Sequence, residues 1–231
     1  MPHPHSSDIM QVVYKNNIDE NRTVAIARVE DFSQAVLDEY VNHRKGVKIL
    51  DDFGHDKELE TRISNVKRRI QWFTVRHLIA QLLDLEQIRI IKNEHGKPFV
   101  ENEKIHLSIS HSGLFVAVAL SKQNECGIDI EEISPKIDRI KHRFMRDKEM
   151  NSLNAEDKID ELYIYWTAKE ALYKFYWKKQ LNFKNHILIE PFKYERQGLI
   201  IGHIFKHEPL KKYKIYYETI DEHMMSYTFG V

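Results

Sequence analysis

The stretch Gly127-Ile128-Asp129-Ile130-Glu131-Glu132 places acid where an isolated strand should be apolar. An extended chain sends alternate side chains to opposite faces, so Ile128 and Ile130 point one way and Asp129 and Glu131 the other. Two carboxylates sharing one face repel each other, and a hard, oxygen-loving cation such as Mg²⁺ is the simplest partner that makes the pair favourable. The same six residues also suit a half-exposed edge strand with solvated acids. Further along, Trp166, Glu170 and Lys174 recur at four-residue spacing and fall on one side of a helical pattern, as a surface ion pair or the wall of a cleft would. Ser110 and His111 stand where an alternating strand runs into His111-Ser112-Gly113, a strand-to-turn corner. Neighbours in sequence do not easily form the nucleophile–base pair of a hydrolase, so this corner reads as a ligand contact.

The elements that must position these groups follow from periodicity. Residues 23–29, 88–91, 105–109 and 114–120 read as strands, and Asn93-Glu94-His95-Gly96 is a turn returning into 97–100. Helical spacing runs over 32–40, over a long stretch from about 56 to 84, and over 159–178. Lys67, Arg68, Arg69 and Arg76 make the long stretch locally cationic, which by itself reads as a solvated face. Ser134-Pro135 resembles a capped helix start, and a short helix opens around Arg146-Asp147-Lys148-Glu149. The remainder is strand-rich, over 186–190, 199–205, 213–218 and 224–229. Each half pairs helix with several strands and strict βαβ alternation is absent, which predicts an α+β fold. No Gly-rich phosphate loop is present.

Composition narrows the class. A chain of 231 residues with 42% apolar content can bury a core, and Lys+Arg equals Asp+Glu at 35 each, so no global charge points to nucleic acid or an anionic membrane. The single cysteine, Cys126, excludes an intramolecular disulfide and suits a reducing compartment. No apolar run approaches the roughly 18 residues of a spanning helix, and the opening lacks a signal-peptide core. A soluble, cytoplasmic protein is expected, with a frayed opening in which His3 and His5 carry no role.

Taken together and in order, Gly96-Lys97-Pro98, Ser108-Ile109-Ser110-His111-Ser112, Gly127 to Glu131, and Trp166 to Lys174 resemble the 4′-phosphopantetheinyl transferases. The resemblance covers roughly residues 67–192, and the overall size is similar to the two-domain, monomeric, surfactin-synthetase-activating type. It implies two similar α+β halves related by a pseudo-twofold, 1–126 and 127–231, each a small sheet packed with a long helix. The implied reaction moves the phosphopantetheine arm of coenzyme A onto a serine of an apo acyl or peptidyl carrier protein, releasing adenosine 3′,5′-bisphosphate. Carried over by residue, the resemblance gives Asp129, Glu131 and Glu170 to a Mg²⁺ site, with Glu149 as a further acid and Glu170 also a candidate base. It sets Lys174 at the pyrophosphate, Lys97 at a phosphate or the adenine, Ser110 and His111 at the 3′-phosphate, and Lys67, Arg68 or Arg69 at a further phosphate. Ser108 departs from the family, where many members carry Asn. The competing readings are a Mg²⁺-dependent phosphohydrolase acting on coenzyme A and a coenzyme A-binding module without catalysis.

Overall fold

A computed structural model describes residues 10–42, 47–50, 65–178, 181–206 and 211–230. The first half of the chain supplies β1 (Met10–Asn17), β2 (Arg22–Val29), α1 (Gln34–Asn42), β3 (Lys48–Leu50), α2 (Val66–Leu83), β4 (Gln87–Lys92), β5 (Pro98–Val100), β6 (His106–Ser112) and β7 (Phe115–Ser121). The second supplies β8 (Cys126–Glu132), a 3-10 turn Pro135–Arg139, and the short helices α3 (Lys141–Phe144) and α4 (Asp147–Met150). It continues through the long α5 (Lys158–Tyr176), α6 (Phe183–His186), β9 (Ile187–Ile189), β10 (Gln197–Ile204), β11 (Lys211–Ile220) and β12 (His223–Phe229).

Strands β1–β7 form one sheet in the order β1-β2-β7-β6-β5-β4-β3, and β8–β12 form another in the order β8-β12-β11-β10-β9. Helix α2 packs on the first sheet through Val75, Leu78 and Ile79, and α5 on the second through Leu162, Ile164, Ala168 and Leu172. A third apolar layer joins the halves: Val24, Ile26, Ala117 and Ala119 of the first sheet meet Ile128, Ile130, Met225 and Tyr227 of the second. The fold is α+β, each half a sheet with its long helix, seven strands against five.

The expected elements appear, with informative differences. Strand β1 lies within the segment taken as a frayed start. Its residues alternate in exposure, with Met10, Val12 and Tyr14 packed against the apolar clusters, and a bulge between Val12 and Tyr14 shifts its register. Helix α2 begins at Val66, where the Asn65 side chain accepts the Arg68 N–H; the expected start near residue 56, like His3 and His5, lies outside the described residues. Strand β6 runs on to Ser112, so Ser110 and His111 sit inside a strand rather than at a corner. Strand β8 is the border strand of its sheet, yet Asp129 is only 3% exposed, so solvated acids do not describe it. Among the described residues no helix is long and apolar enough to cross a membrane.

Glycine 127 sets how closely β8 approaches α5. A Cβ there would stand 2.0 Å from the Ala171 carbonyl oxygen and 2.8 Å from the Phe175 nitrogen, both backbone atoms that cannot swing aside. Gly127→Ala should therefore cost about 1–3 kcal/mol, read as a lowered urea midpoint with unchanged slope. An unshifted midpoint would mean that the strand and helix are not in backbone contact.

Candidate active site

The site is assembled by β6 presenting its serines to the open edge of β8. Ser108, Ser110 and Ser112 alternate along β6 and so share one face. The Ser108 hydroxyl accepts the Ile128 N–H at 3.1 Å, and the Ser112 hydroxyl accepts the Glu132 N–H at 2.9 Å. Between them Ser110 donates to Asp129 Oδ1 at 2.7 Å, while Ser112 also donates to Glu131 Oε2 at 3.3 Å. Ser110 is thus buried and spent on Asp129, and it does not line the cleft where a 3′-phosphate contact was expected; His111, on the opposite face of β6, does line it. The serine at 108, the position that departs from the family, closes a backbone donor of β8.

Helix α5 brings the other groups. Lys174 donates to Asp129 Oδ1 at 2.7 Å rather than pairing with Glu170 one turn away, and of the stripe it is Lys174 that lines the cleft. Glu170 is pushed up to about 7, chiefly by burial, then by Asp129 and Glu131, with Lys174 opposing. The carboxyl of Glu131 is raised by burial and by Asp129, against the Trp166 and Ser112 side chains that hydrogen-bond to it. Trp166 is wedged between Phe144 and Phe183, with ring centroids at 5.1 and 5.5 Å. Asp129 thus makes both Glu131 and Glu170 harder to ionise, and its own second oxygen is buried without a hydrogen-bond partner. A hard cation would answer both, and the all-oxygen donor set suits Mg²⁺. Among the described residues no three such groups are already gathered at ligating distance.

Glu149 does not join them. It is fully buried on α4, pairs with Lys169 at 2.7 Å, and accepts the Arg146 and Ile189 backbone N–H groups at 2.7 and 2.9 Å. Both its oxygens are occupied, so the assignment to a metal site is corrected to a structural one. Lys169, whose ammonium also donates to the carbonyls of Phe144, Phe183 and Ile187, is pulled down to about 8 by burial. Removing one partner of such a pair strands the other charge and typically costs about 3–5 kcal/mol. The sequence reading passed over Lys169, although its position on α5 falls beside Tyr165 and Leu172 on the apolar arc, where a lysine needs a buried acid.

The cleft, about 680 Å³, opens between the halves. Arg68, Trp72 and Arg76 of α2 line it, with Lys92, His95 and Lys97 from the β4–β5 hairpin, His111 of β6, and Tyr173, Lys174 and Trp177 from the end of α5. Of the two candidate arginines, Arg68 lines the cleft and Arg69 does not. Lys67 lies over the Phe32 ring instead, at 5.0 Å. The Lys97 ammonium meets Glu125, which also faces His106 at 3.3 Å. His111 is held below its usual range by burial and by the nearby charges of Lys174, Arg68 and Lys67, a surrounding suited to an anion.

Residues 125–228 match the family model of the 4′-phosphopantetheinyl transferase superfamily. The chain is 36% identical over 105 residues to the 4′-phosphopantetheinyl transferase gsp of Aneurinibacillus migulanus, 43% of this chain and 44% of that one. It is 32% identical over 116 residues to the 4′-phosphopantetheinyl transferase AcpT of Escherichia coli strain K12, 46% of this chain and 57% of that one. The matched stretches span about half the length of these curated relatives. The resemblance drawn from the motifs holds for the segment carrying Asp129, Glu131, Glu170 and Lys174; Lys97, Ser110, His111 and Arg68 lie before the family match.

The raised Glu170 carboxyl fixes a sign for stability. Below its ordinary value of 4.5 the group is protonated in folded and unfolded chains alike; from there to about 7 only the folded chain keeps the proton, so its contribution to stability falls as pH rises through that window. In metal-free buffer Glu170→Gln should remove this fall. The variant should exceed the parent by about 1–3 kcal/mol at pH 8 and match it near pH 4.5 in urea titrations. Curves that stay parallel would show that another group titrates.

Proposed function

We propose that this chain transfers the 4′-phosphopantetheine arm of coenzyme A to a serine of an apo acyl or peptidyl carrier protein, with Mg²⁺, releasing adenosine 3′,5′-bisphosphate. The observation that carries the reading is Lys174, which lines the cleft and reaches Asp129 at 2.7 Å, so that one ammonium joins an anion-binding channel to a crowd of carboxylates. In this reading the chain acts as a monomer in the cytoplasm, its two halves meeting near residues 126–127.

Asp129, Glu131 and Glu170 would hold the metal, which when bound supplies charge neutralisation on the pyrophosphate. Every remaining task falls to side chains of this chain. Lys174 neutralises the pyrophosphate oxygens as the bond to the leaving bisphosphate lengthens. Glu170, raised toward neutrality, takes the proton of the attacking serine hydroxyl. His111 and Arg68 bind the 3′-phosphate, and Lys97, kept in place by Glu125, faces the nucleotide end. Ser110 positions Asp129 and Ser112 positions Glu131.

Intact-mass measurement after incubation with coenzyme A, Mg²⁺ and apo-carriers should show a carrier heavier by one phosphopantetheine arm. Release of free phosphopantetheine without a modified carrier would instead establish hydrolysis, and no turnover would establish a binding module. Asp129→Ala should abolish the mass shift while keeping the melting transition, because Lys174 remains partly exposed once its partner is gone. A variant working at the parental rate across a Mg²⁺ titration overturns the metal assignment.

His111→Ala tests the phosphate end. A hydrogen bond to a charged group contributes roughly 1.5–3 kcal/mol, so the variant should bind coenzyme A about tenfold or more weakly while binding dephospho-coenzyme A nearly as the parent does. Equal losses for the two ligands in calorimetric titration would reassign His111 to packing of β6.

A further inference from the structure

Trp177 caps the carboxyl end of α5 with φ 45° and ψ −18°, a left-handed backbone for a bulky residue where glycine is the favoured occupant. Such a conformation costs roughly one residue's worth of left-handed strain, so something must retain the ring. Its ring packs on His95 at 5.2 Å between centroids and a 50° tilt, and both residues line the cleft. His95 comes from the first half, on a turn fixed by Asn93, whose side chain accepts the N–H groups of His95 and Lys97 at 3.0 and 2.9 Å, and closed by Gly96 at φ 83°. The pair thus bridges the two halves at the cleft.

Other aromatic side chains along the cleft have contacts of their own, and Trp177 has one besides His95, the Lys178 ammonium 5.8 Å from its ring centroid. Arg76 covers the Trp72 face at 3.4 Å and Phe73 meets its edge, while Tyr173 packs on Phe183. Trp177 follows Lys174 by three residues, so a cationic side chain and an aromatic ring line the cleft from the same end of α5. We propose that Trp177, braced by His95, is the stacking surface for the purine of the coenzyme and the residue that makes the cleft prefer a base-bearing ligand over a base-free one. This rests on the transferase reading above and adds to it a specificity residue outside the shared motifs.

The test is calorimetric titration of the parent, Trp177→Gly and Trp177→Phe with adenosine 3′,5′-bisphosphate, uridine 3′,5′-bisphosphate and inorganic pyrophosphate. Base–aromatic stacking predicts that Trp177→Gly weakens the adenosine ligand by about 5- to 100-fold, the uridine ligand less, and pyrophosphate hardly at all. Trp177→Phe should keep most of the adenosine affinity, and cooperative melting of both variants shows that the losses are read on folded protein. Equal losses for all three ligands, unchanged adenosine affinity in both variants, or a loss in Trp177→Phe as large as in Trp177→Gly would overturn the assignment while leaving the transferase reading in place. A parent protein that binds no adenosine 3′,5′-bisphosphate would overturn that reading and this assignment with it.

Discussion

Three hydroxyls hold the two halves in register. The open edge of β8 offers backbone N–H groups that have no strand beside them, and Ser108 and Ser112 receive two of these at 3.1 and 2.9 Å. The Ile128 N–H is buried, and a buried N–H left unmet costs about 1–3 kcal/mol, so sliding β6 along β8 by one residue would strand that donor and turn Ser110 away from Asp129. The apolar layer between the sheets supplies attraction but little direction, since alanine, valine and isoleucine faces slide at modest cost. The serines supply the direction. Their spacing of two residues transfers the pleat of one sheet to the carboxylates of the other.

Charge at the site is arranged against solvation rather than with it. Glu170 and Glu131 are pushed up mainly by burial, and Asp129 adds to both, so the cluster is costly to ionise without a compensating positive charge. The buried Lys169–Glu149 pair lies on the far side of α5 and has its compensation built in: its ammonium has four acceptors and its carboxylate is saturated. Two Glu–Lys relationships on adjacent positions of one helix therefore have opposite jobs. One pins α5 to α4 and β9; in the other Lys174 lines the cleft and pairs with Asp129 instead of Glu170.

Much of this was legible in the sequence because the signals were periodic. Alternation in 127–132 fixed which side chains share a face, and four-residue spacing put Glu170 and Lys174 together. Long-range pairing was not legible. Nothing local says that Ser110 meets Asp129 nineteen residues on, or that Glu149 is consumed by Lys169 and two backbone donors. His95 and Trp177 were invisible for the same reason, being neighbours only because a hairpin of one half meets the helix end of the other. Strand β1 escaped because its apolar face is only Met10, Val12 and Tyr14, and the exposed Val13 between them blurs the alternation.

That last strand has a consequence for how copies of the chain behave toward one another. β1 borders the seven-stranded sheet, and a straight border strand is a template on which another molecule's strand can add. The bulge between Val12 and Tyr14 breaks the even spacing of its free donors and acceptors and increases the local twist, while Lys15 puts a charge beside them. A second chain could match only a few residues of such an edge before losing register. The bulge is thus a guard against edge-to-edge aggregation.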